Sequence, residues 1–225
     1  MVDGSQAYAS LAYARGRFAV VDVETTGFDP RVDRVVEMAC VTVENGRVVE
    51  TWSTLVDPEM PIPAYATRVH GITDRDVARA PNFAYAQWHL AERCWGATIA
   101  AHNATFDLGF LPRLRVHPVV CTLALARRAF PEAPNFKNQT LRAYLGIEIA
   151  REGGLVAHRA LDDALVTAAV LVKCFERLRA REAMIDAEGD PDAEDGRARG
   201  TRDIERAGRV EASDPERLAK RANVA

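Results

Sequence analysis

Residues 17–27, RFAVVDVETTG, form an apolar, β-branched run that ends in two carboxylates and a glycine turn. The run predicts a strand in the middle of a sheet, because a strand covered on both faces is apolar along most of its length. Side chains two positions apart in a strand leave the same face, so Asp22 and Glu24 are predicted to lie together. If they are buried, these carboxylates need a proton, a hydrogen-bond donor or a cation. A strand end that emerges into solvent is the alternative.

The rest of the sequence predicts a mixed α/β sheet flanked by helices, since strands come first and then alternate with helices. Two strand-like runs, Arg34–Glu44 and Arg47–Val56, are joined by Asn45–Gly46, which is the strongest short-range signal for a hairpin. Pro118 places the last strand at an edge of the sheet, and Asn103 is predicted to cap a helix. The later elements are predicted as strands at Ala97–Ala101 and Val116–Cys121 and as helices at Asn82–Cys94, Ala104–Leu111, Thr122–Phe130, Asn138–Leu145 and Arg159–Arg179.

Composition limits the class of protein. The chain has 225 residues, of which 48% are hydrophobic and 27% charged, as is typical of a folded globular protein. Neither a membrane-spanning run nor a signal peptide is visible, so no membrane partner is expected. The four cysteines, at positions 40, 94, 121 and 174, show no paired spacing. A disulfide framework or zinc knuckle is therefore not expected, and the cytoplasm is the expected compartment.

Charge is unevenly distributed along the chain. Residues 1–180 contain 20 basic and 20 acidic side chains, whereas residues 181–225 contain 9 and 12, so the end of the chain carries the whole net charge of −3. This balance excludes only a strongly basic coat that binds duplex nucleic acid by bulk charge. We expect an N-terminal extension at 1–16, a folded domain at 17–180 and a charged, disordered tail at 181–225. Asp214–Pro215 could begin a short helix in that tail.

Further candidate residues lie in two later motifs. Asp107 ends HNATFD, in the first turns of a predicted helix, where an acid is either simply favourable or a third oxygen ligand. The last predicted helix begins HRALDDA and is apolar on two faces, so it is expected to be sandwiched, with Asp163 rather than Asp162 directed inward. His158 lies about 140° from Asp163 around a regular helix and reaches the same site only from the preceding loop. A purely structural histidine is the alternative.

Asp22, Glu24, Asp107 and Asp163 together offer four hard oxygen donors, which suit Mg²⁺ or Mn²⁺ better than zinc. A carboxylate cluster that holds two divalent ions is a standard device for hydrolysing phosphodiesters. A histidine side chain such as that of His158 can take the proton of the attacking water.

Four motifs in order, DVETTG, VHGIT, HNATFD and HRALDDA, resemble the DEDDh (DnaQ-like) 3′–5′ exonuclease family, which includes the epsilon proofreading subunits of bacterial DNA polymerase III. The resemblance covers about residues 15–178. It implies an RNase H-like fold with a mixed five-stranded sheet, and removal of nucleoside 5′-monophosphates from 3′ ends. The sequence departs from many relatives at Cys121, where they carry Asp, but that position is not one of the four ligands.

Carried over by position, the resemblance implies that Asp22, Glu24, Asp107 and Asp163 bind two Mg²⁺ or Mn²⁺ ions and that His158 is the general base. The residues implied to hold the terminal nucleotides are Thr26, Gly27, Phe28, His70, Asn103 and Phe106. The aromatic members would stack on bases of any sequence, although Phe106 could belong to the core instead.

Three functional classes remain as alternatives. The first is a DNA exonuclease acting on single-stranded or frayed ends in proofreading or repair, and the second is an exoribonuclease that trims RNA ends. The third is a non-catalytic subunit of a polymerase or repair complex, which the complete set of five residues argues against. Single-stranded 3′ ends, of DNA more than RNA, are the expected substrate. A DNA polymerase or repair complex is the expected protein partner, with the tail as a docking segment.

Overall fold

The computed structural model describes residues 16–150 and 154–188 of the chain. The strands are β1 Arg17–Thr25, β2 Val35–Glu44, β3 Arg47–Leu55, β4 Thr98–Ala101 and β5 Val119–Cys121. The helices are α1 Ala64–His70, α2 Asp74–Val77, α3 Phe83–Cys94, α4 Ala104–Phe110, α5 Thr122–Ala129, α6 Asn138–Tyr144 and α7 Ala160–Glu188, with a 3-10 helix at Pro112–Val116. The chain divides into two units between Ala180 and Arg181, a point within α7. The helix predicted at Asp214–Pro215 lies outside the described residues.

The strands form one five-stranded sheet in the order β3-β2-β1-β4-β5. The pairs β1–β2 and β2–β3 are antiparallel, whereas β4 is parallel to both β1 and β5, so the predicted mixed sheet is confirmed. Asn45 and Gly46 both have positive φ, 51° and 74°, which is the backbone of a type I′ hairpin turn. Strand β5 begins after Pro118 and lies at the edge of the sheet, as predicted.

The two faces of β1 are covered by different helices. Ala19, Val21 and Val23 pack with residues of α3 and α4. The alternate residues Phe18 and Val20 pack with the apolar stripe of α7. Because Asp22 and Glu24 continue that second row, the side of the sheet that α7 covers ends in two carboxylates.

Helix α7 is packed on two sides, as its sequence predicts. One stripe, which includes Ala164, Ala168 and Phe175, lies against the sheet, where the ring centroids of Phe175 and Phe18 are 5.5 Å apart. The opposite stripe, Val166, Val170 and Cys174, packs with residues of α5 and α6. This packing fixes the rotation of α7 and therefore the direction of the acidic residues in its first turn.

Two predictions of local structure were wrong. Helix α7 continues to Glu188 rather than ending near Arg179, because the change in composition at Arg181 alters charge but not helix propensity. Asn103 precedes α4 but makes no side-chain cap, since its backbone is left-handed (φ 67°) whereas a capping residue is extended. Among the described residues, no helix is long and apolar enough to cross a membrane.

Candidate functional site

Three carboxylates from two elements meet at the end of the sheet. Asp22 and Glu24 lie on β1, and Asp163 lies in the first turn of α7. One oxygen of each lies within 4.8 Å of one oxygen of each of the others. The packing of α7 on β1 produces this arrangement, because the apolar row beneath the helix ends where the acidic row begins. The predicted choice of Asp163 is thus consistent with the position of its side chain. Asp162 is also buried, contrary to expectation, and accepts the Val156 N–H at 2.7 Å.

Asp107 approaches the same region from α4. Its side chain is buried, with 3% of the residue exposed. Its charge is the largest influence after burial in raising the pKa of Asp22, so the two carboxylates interact. It does not belong to the group of three whose oxygens lie within 4.8 Å of one another. The structure therefore brings three of the four predicted ligands into one group and places the fourth beside it.

The carboxylates of this cluster resist ionisation. Burial raises the pKa of Glu24 to about 8, helped by repulsion from Asp163 and Glu37. Burial likewise raises the pKa of Asp107 to about 8 and raises that of Asp163, and burial with carboxylate repulsion raises that of Asp22. A divalent cation would remove this penalty, because it favours the ionised form of every neighbouring acid. The donor set therefore fits a hard cation such as Mg²⁺ or Mn²⁺.

Asp163 is held in place by two hydrogen bonds to its carboxylate. The side-chain amide of Gln139 on α6 donates to Oδ1 at 2.7 Å, and the backbone N–H of His158 donates to Oδ2 at 3.0 Å. The amide of Asn138 donates to the backbone carbonyl of Asp163 at 3.0 Å and to the Thr167 hydroxyl at 3.2 Å. Helix α6 thus orients a carboxylate whose lone pairs face the cluster.

His158 lies in the loop before α7, which is the one placement that lets it reach the cluster. Its backbone has φ 60°, an uncommon conformation for a residue with a side chain. The side chain is exposed, while the backbone N–H is bound to Asp163. The backbone of His158 is therefore fixed to one of the three carboxylates, while its imidazole remains accessible to solvent.

A buried ion pair lies beside the cluster. Glu37 on β2 is directly opposite Glu24 in the antiparallel register and is 4% exposed. Its carboxylate accepts two hydrogen bonds from the Arg159 guanidinium, at 2.7 and 3.0 Å, and a third from the Ala160 N–H at 2.9 Å. The pair joins the second strand to the start of α7.

The loop after β1 is closed by its own side chains. Thr26 is fully buried, and its N–H and hydroxyl bind the Arg34 carbonyl and N–H at 2.8 and 2.9 Å. A Cβ atom on Gly27 would overlap the Asp33 carboxylate, which accepts the Asp29 N–H at 2.9 Å. The resemblance implies that Gly27 helps to hold the terminal nucleotides, and in the structure the space beside its Cα is taken by the Asp33 carboxylate.

Three aromatic rings form a row from the surface into the core. Phe28 is 82% exposed, and its ring centroid lies 6.3 Å from that of Phe106. Phe106 is partly buried and lies 5.2 Å from Phe110, which belongs to the core cluster. One side of Phe106 therefore packs on the core, as the alternative considered from the sequence expected, and the other side faces the exposed ring of Phe28. Asn103, next to this row, is exposed.

The VHGIT motif forms the connection between α1 and α2. Gly71 ends α1 with φ 74°, and Thr73 begins α2 in a capping box with Asp76. His70 is 5% exposed, and its Nδ1 accepts the Ile72 N–H at 3.0 Å. Burial lowers the pKa of His70, so the ring is neutral at physiological pH. Its pKa is also influenced by Glu37, Arg159 and His158, which places it near the site.

Several residues of the site could not be found by motif. Glu37 was the easiest of them to suspect from the sequence, since a lone acid in the apolar run VVEMACV indicates a buried carboxylate with a partner. Arg159 follows His158 directly but carries no spacing signal of its own. Gln139 and Asn138 occupy an ordinary short helix, and nothing in their sequence indicates the contact with Asp163.

A cleft of about 550 Å³ lies beside the residues that follow Phe28. Arg34, Asp57, Phe83 and Phe110 are among the residues that line it. None of the cluster carboxylates lines this cleft, so it is distinct from the carboxylate site.

Comparison with known proteins gives one consistent result. The family model RNase_T, described as Exonuclease, matches residues 19–171. A DNA polymerase III subunit epsilon-like protein of Rhodobacter capsulatus is 38% identical over 188 residues, which are 79% of this chain and 26% of that protein. A PolC-type DNA polymerase III of Caldanaerobacter subterraneus subsp. tengcongensis is 33% identical over 177 residues, 76% of this chain and 12% of that protein. The chain therefore spans only about a quarter or less of the length of these relatives.

A solved structure extends the likeness to three dimensions. Exonuclease X in complex with 5′ overhanging duplex DNA matches with a TM-score of 0.60 and 32% identity, over 71% of this chain and 91% of that one. The predicted RNase H-like architecture, a mixed five-stranded sheet flanked by helices, is thereby confirmed.

Proposed function

This chain belongs to the RNase_T exonuclease family, and from that premise we propose that it removes nucleotides one at a time from the 3′ ends of single-stranded or frayed DNA. The observation that carries the proposal is the group of three carboxylates within 4.8 Å, formed by Asp22, Glu24 and Asp163, with His158 hydrogen-bonded to the last of them. This grouping joins an acid cluster suited to cations with an accessible base, which is the equipment that phosphodiester hydrolysis needs.

Asp22, Glu24, Asp107 and Asp163 would hold two divalent cations, Mg²⁺ or Mn²⁺, in the proposed mechanism. Such ions, when bound, lower the pKa of water and neutralise charge on the phosphate. The protein's own contribution is to gather the four acids and to fix Asp163 through Gln139. The raised pKa values of these acids support the assignment, since a cluster of this kind is costly unless cations bind.

His158 is proposed as the general base. Its exposed imidazole would accept one proton from the water that attacks phosphorus, while its N–H keeps the residue beside Asp163. The bond from phosphorus to the 3′-oxygen of the preceding nucleotide breaks, and that oxygen leaves with the bonding electrons and is protonated. The products are a nucleoside 5′-monophosphate and a strand shorter by one nucleotide.

The terminal bases are proposed to bind on the aromatic row. Phe28 offers an exposed ring face backed by Phe106, and stacking on such a ring accepts any base. Asn103, whose carbonyl accepts the Phe106 N–H at 2.8 Å, and His70, which lies near Glu37 and Arg159, complete the proposed substrate-binding set with Thr26 and Gly27. In the structure Thr26 and Gly27 shape the loop that carries Phe28, which gives them an indirect part in binding.

DNA is proposed as the substrate in preference to RNA. The support comes from the relatives, which are named as DNA polymerase III proteins, and from the Exonuclease X complex with overhanging DNA. A role in replication or repair, and association with a DNA polymerase, are proposed on the same ground. The domain limits 17–180 are proposed from the motifs and from the boundary at Ala180.

The test uses 5′-labelled single-stranded DNA and RNA oligomers of one sequence, incubated with the full chain and Mg²⁺, Mn²⁺ or EDTA. We expect DNA ladders that shorten from the 3′ end with either cation and none with EDTA. Asp163→Asn preserves the size of the side chain and should abolish the ladders. Glu176→Gln is the matched control, because Glu176 lies on the same helix in an exposed pair with Lys173.

Two outcomes would overturn the proposal or redirect it. Absence of cation-dependent shortening on both polymers, with the protein folded, would contradict an exonuclease and favour a binding subunit. Faster shortening of RNA than of DNA would assign the enzyme to RNA trimming.

A further inference from the structure

Glu37 is a fifth carboxylate on the face of the sheet that carries the proposed cation ligands. It lies opposite Glu24 across the β1–β2 pair, where cross-strand neighbours point to the same side. Its side chain is 5% exposed, and its charge raises the pKa of Glu24 and of Asp22. A buried carboxylate in this position needs a specific partner.

Arg159 supplies that partner with a planar, two-point contact. Its Nη2 and Nε donate to the two oxygens of Glu37 at 2.7 and 3.0 Å. This bidentate geometry fixes direction as well as distance, and a lysine could not reproduce it. The Arg159 side chain is 41% exposed, so the pair lies at the boundary between the buried sheet and solvent.

The chain connects this ion pair to His158 without an intervening residue. On one side of His158, its own N–H is bound to Asp163 at 3.0 Å. On the other side, Arg159 and the Ala160 N–H are both bound to Glu37. Hydrogen bonds to Asp163 on α7 and to Glu37 on β2 therefore fix the chain at His158 and directly after it, and His158 has an uncommon positive φ.

We propose that the Glu37–Arg159 pair is a positioning clamp that holds the His158 loop against the sheet, so that the imidazole is set for proton transfer. The clamp also engages both oxygens of Glu37, so that Glu37 does not join the four carboxylates proposed to bind cations. Both residues act through His158 and are positioning residues. The inference rests on the proposed function for its catalytic meaning, but the clamp itself is a property of the apo protein.

The test compares Arg159→Ala with Arg177→Ala in the full chain. Arg177 lies on the same helix and makes an ordinary exposed ion pair with Glu132, which makes it a matched control. Amide hydrogen exchange by NMR, without metal or DNA, reports each N–H separately. We expect the His158 and Ala160 amides to exchange at least about tenfold faster in Arg159→Ala, while amides of β1 keep their protection.

Steady-state kinetics with Mg²⁺ and single-stranded DNA supply the second measurement. We expect kcat to fall about 10- to 100-fold in Arg159→Ala with KM within about twofold, because a misplaced base slows chemistry more than binding. Millimolar guanidinium ion should restore part of kcat to Arg159→Ala and none to Arg177→Ala, since it can occupy the vacated contact with Glu37. Arg159→Lys should fall between wild type and Arg159→Ala.

Glu37→Gln gives an independent variant if Arg159→Ala does not fold. It retains one oxygen for the Ala160 N–H but removes the charged bidentate contact, so it should show the same loss of kcat with a smaller exchange effect. Unchanged exchange at His158 and Ala160 in both variants would overturn the clamp, whatever the nuclease assay gives. Unchanged kcat in an active nuclease would remove its role in positioning. Lack of nuclease activity in the wild type would reject the proposed function and leave the exchange result to decide on the clamp.

Discussion

Glu24 and Glu37 lie side by side on adjacent antiparallel strands, and they differ in what balances their charge. Glu37 is bound by the guanidinium of Arg159 at 2.7 Å. Glu24 lies among carboxylates, and its pKa is raised to about 8. One strand pair therefore carries an acid that is already neutralised and an acid that is left for a cation. This difference leads to the first prediction.

Without metal, the protein should lose stability as pH rises from 6.5 to 8.5. Glu24 and Asp107 have folded-state pKa values of about 8, above those of the unfolded chain, so their contribution is full at low pH and is lost as pH rises through 8. Each group lowers the free energy of unfolding by up to about 1.4 kcal/mol per pH unit. The window avoids the opposite effect of buried His70 and of partly buried His102, directly after β4, because their lowered pKa values reduce stability below pH 6.5. Thermal unfolding in EDTA measures the trend.

Two comparisons isolate the cluster as the cause of that trend. Glu24→Gln should make the pH slope shallower, whereas Glu132→Gln, at an exposed carboxylate, should leave it unchanged. Saturating Mg²⁺ should raise Tm most at pH 8.5, because ionised ligands bind the cation more tightly. A Tm in EDTA that stayed level or increased across this range would contradict the raised pKa values.

Gln139→Ala should weaken cation binding about 10- to 100-fold. The amide of Gln139 donates to Oδ1 of Asp163 at 2.7 Å, and loss of such an outer contact allows the ligand to turn away. Titration calorimetry with Mn²⁺ measures the effect directly. Thr140→Ala on the same helix is the control and should bind Mn²⁺ like the wild type. Equal affinity in all three proteins would show that Asp163 is oriented without Gln139, the His158 N–H being sufficient.

Phe28→Ala should raise KM for single-stranded DNA about tenfold while leaving kcat and Tm nearly unchanged. Stacking of one base on an aromatic ring contributes about 1–3 kcal/mol, and a side chain that is 82% exposed adds little to the folded state. Trp95→Ala, at another aromatic residue that is 79% exposed, should not alter KM. Should KM for Phe28→Ala equal that of wild type, terminal bases do not stack on this ring.

Gly27→Ala should destabilise the protein by about 1–3 kcal/mol and reduce activity, because the new Cβ would overlap the Asp33 carboxylate. Asp33→Gly in the same chain should recover part of the lost stability, which a double-mutant cycle would measure as coupling. Gly109→Ala is the control, since a Cβ there meets Pro30 at 3.4 Å, an ordinary contact. Purely additive losses at Gly27 and Asp33 would refute the proposed overlap.

Much of the fold follows from local sequence signals. The run around Val20 and Val21 is apolar on both faces and lies at the centre of the sheet, and Asn45–Gly46 forms the expected turn. The rotation of α7 was also predictable, because its two apolar stripes need two surfaces to cover them. The missing side-chain cap at Asn103 was not predictable, since the left-handed backbone there arises from the tertiary path between β4 and α4.

The candidate site was predictable only where residues carry their own signal. Asp22, Glu24 and Asp163 could be placed together from strand alternation and helix phase. Glu37 could not, because its position opposite Glu24 depends on the β1–β2 register, which no tight turn between those strands fixes. Gln139 reaches Asp163 only after α6 docks on α7, and that docking is a long-range event that leaves no mark in the local sequence.

The carboxylate cluster draws its members from distant parts of the chain, with Asp22 on β1 and Asp163 on α7. During synthesis, β1 with Asp22 and Glu24 emerges before α7, and the group of three is incomplete until α7 has formed and docked. An emerging chain therefore cannot complete this cation-binding group from β1 alone and needs α7 as well. Mn²⁺ binding should therefore begin only when α7 docks on the sheet. Stopped-flow measurements with Mn²⁺ could follow that step in refolding protein.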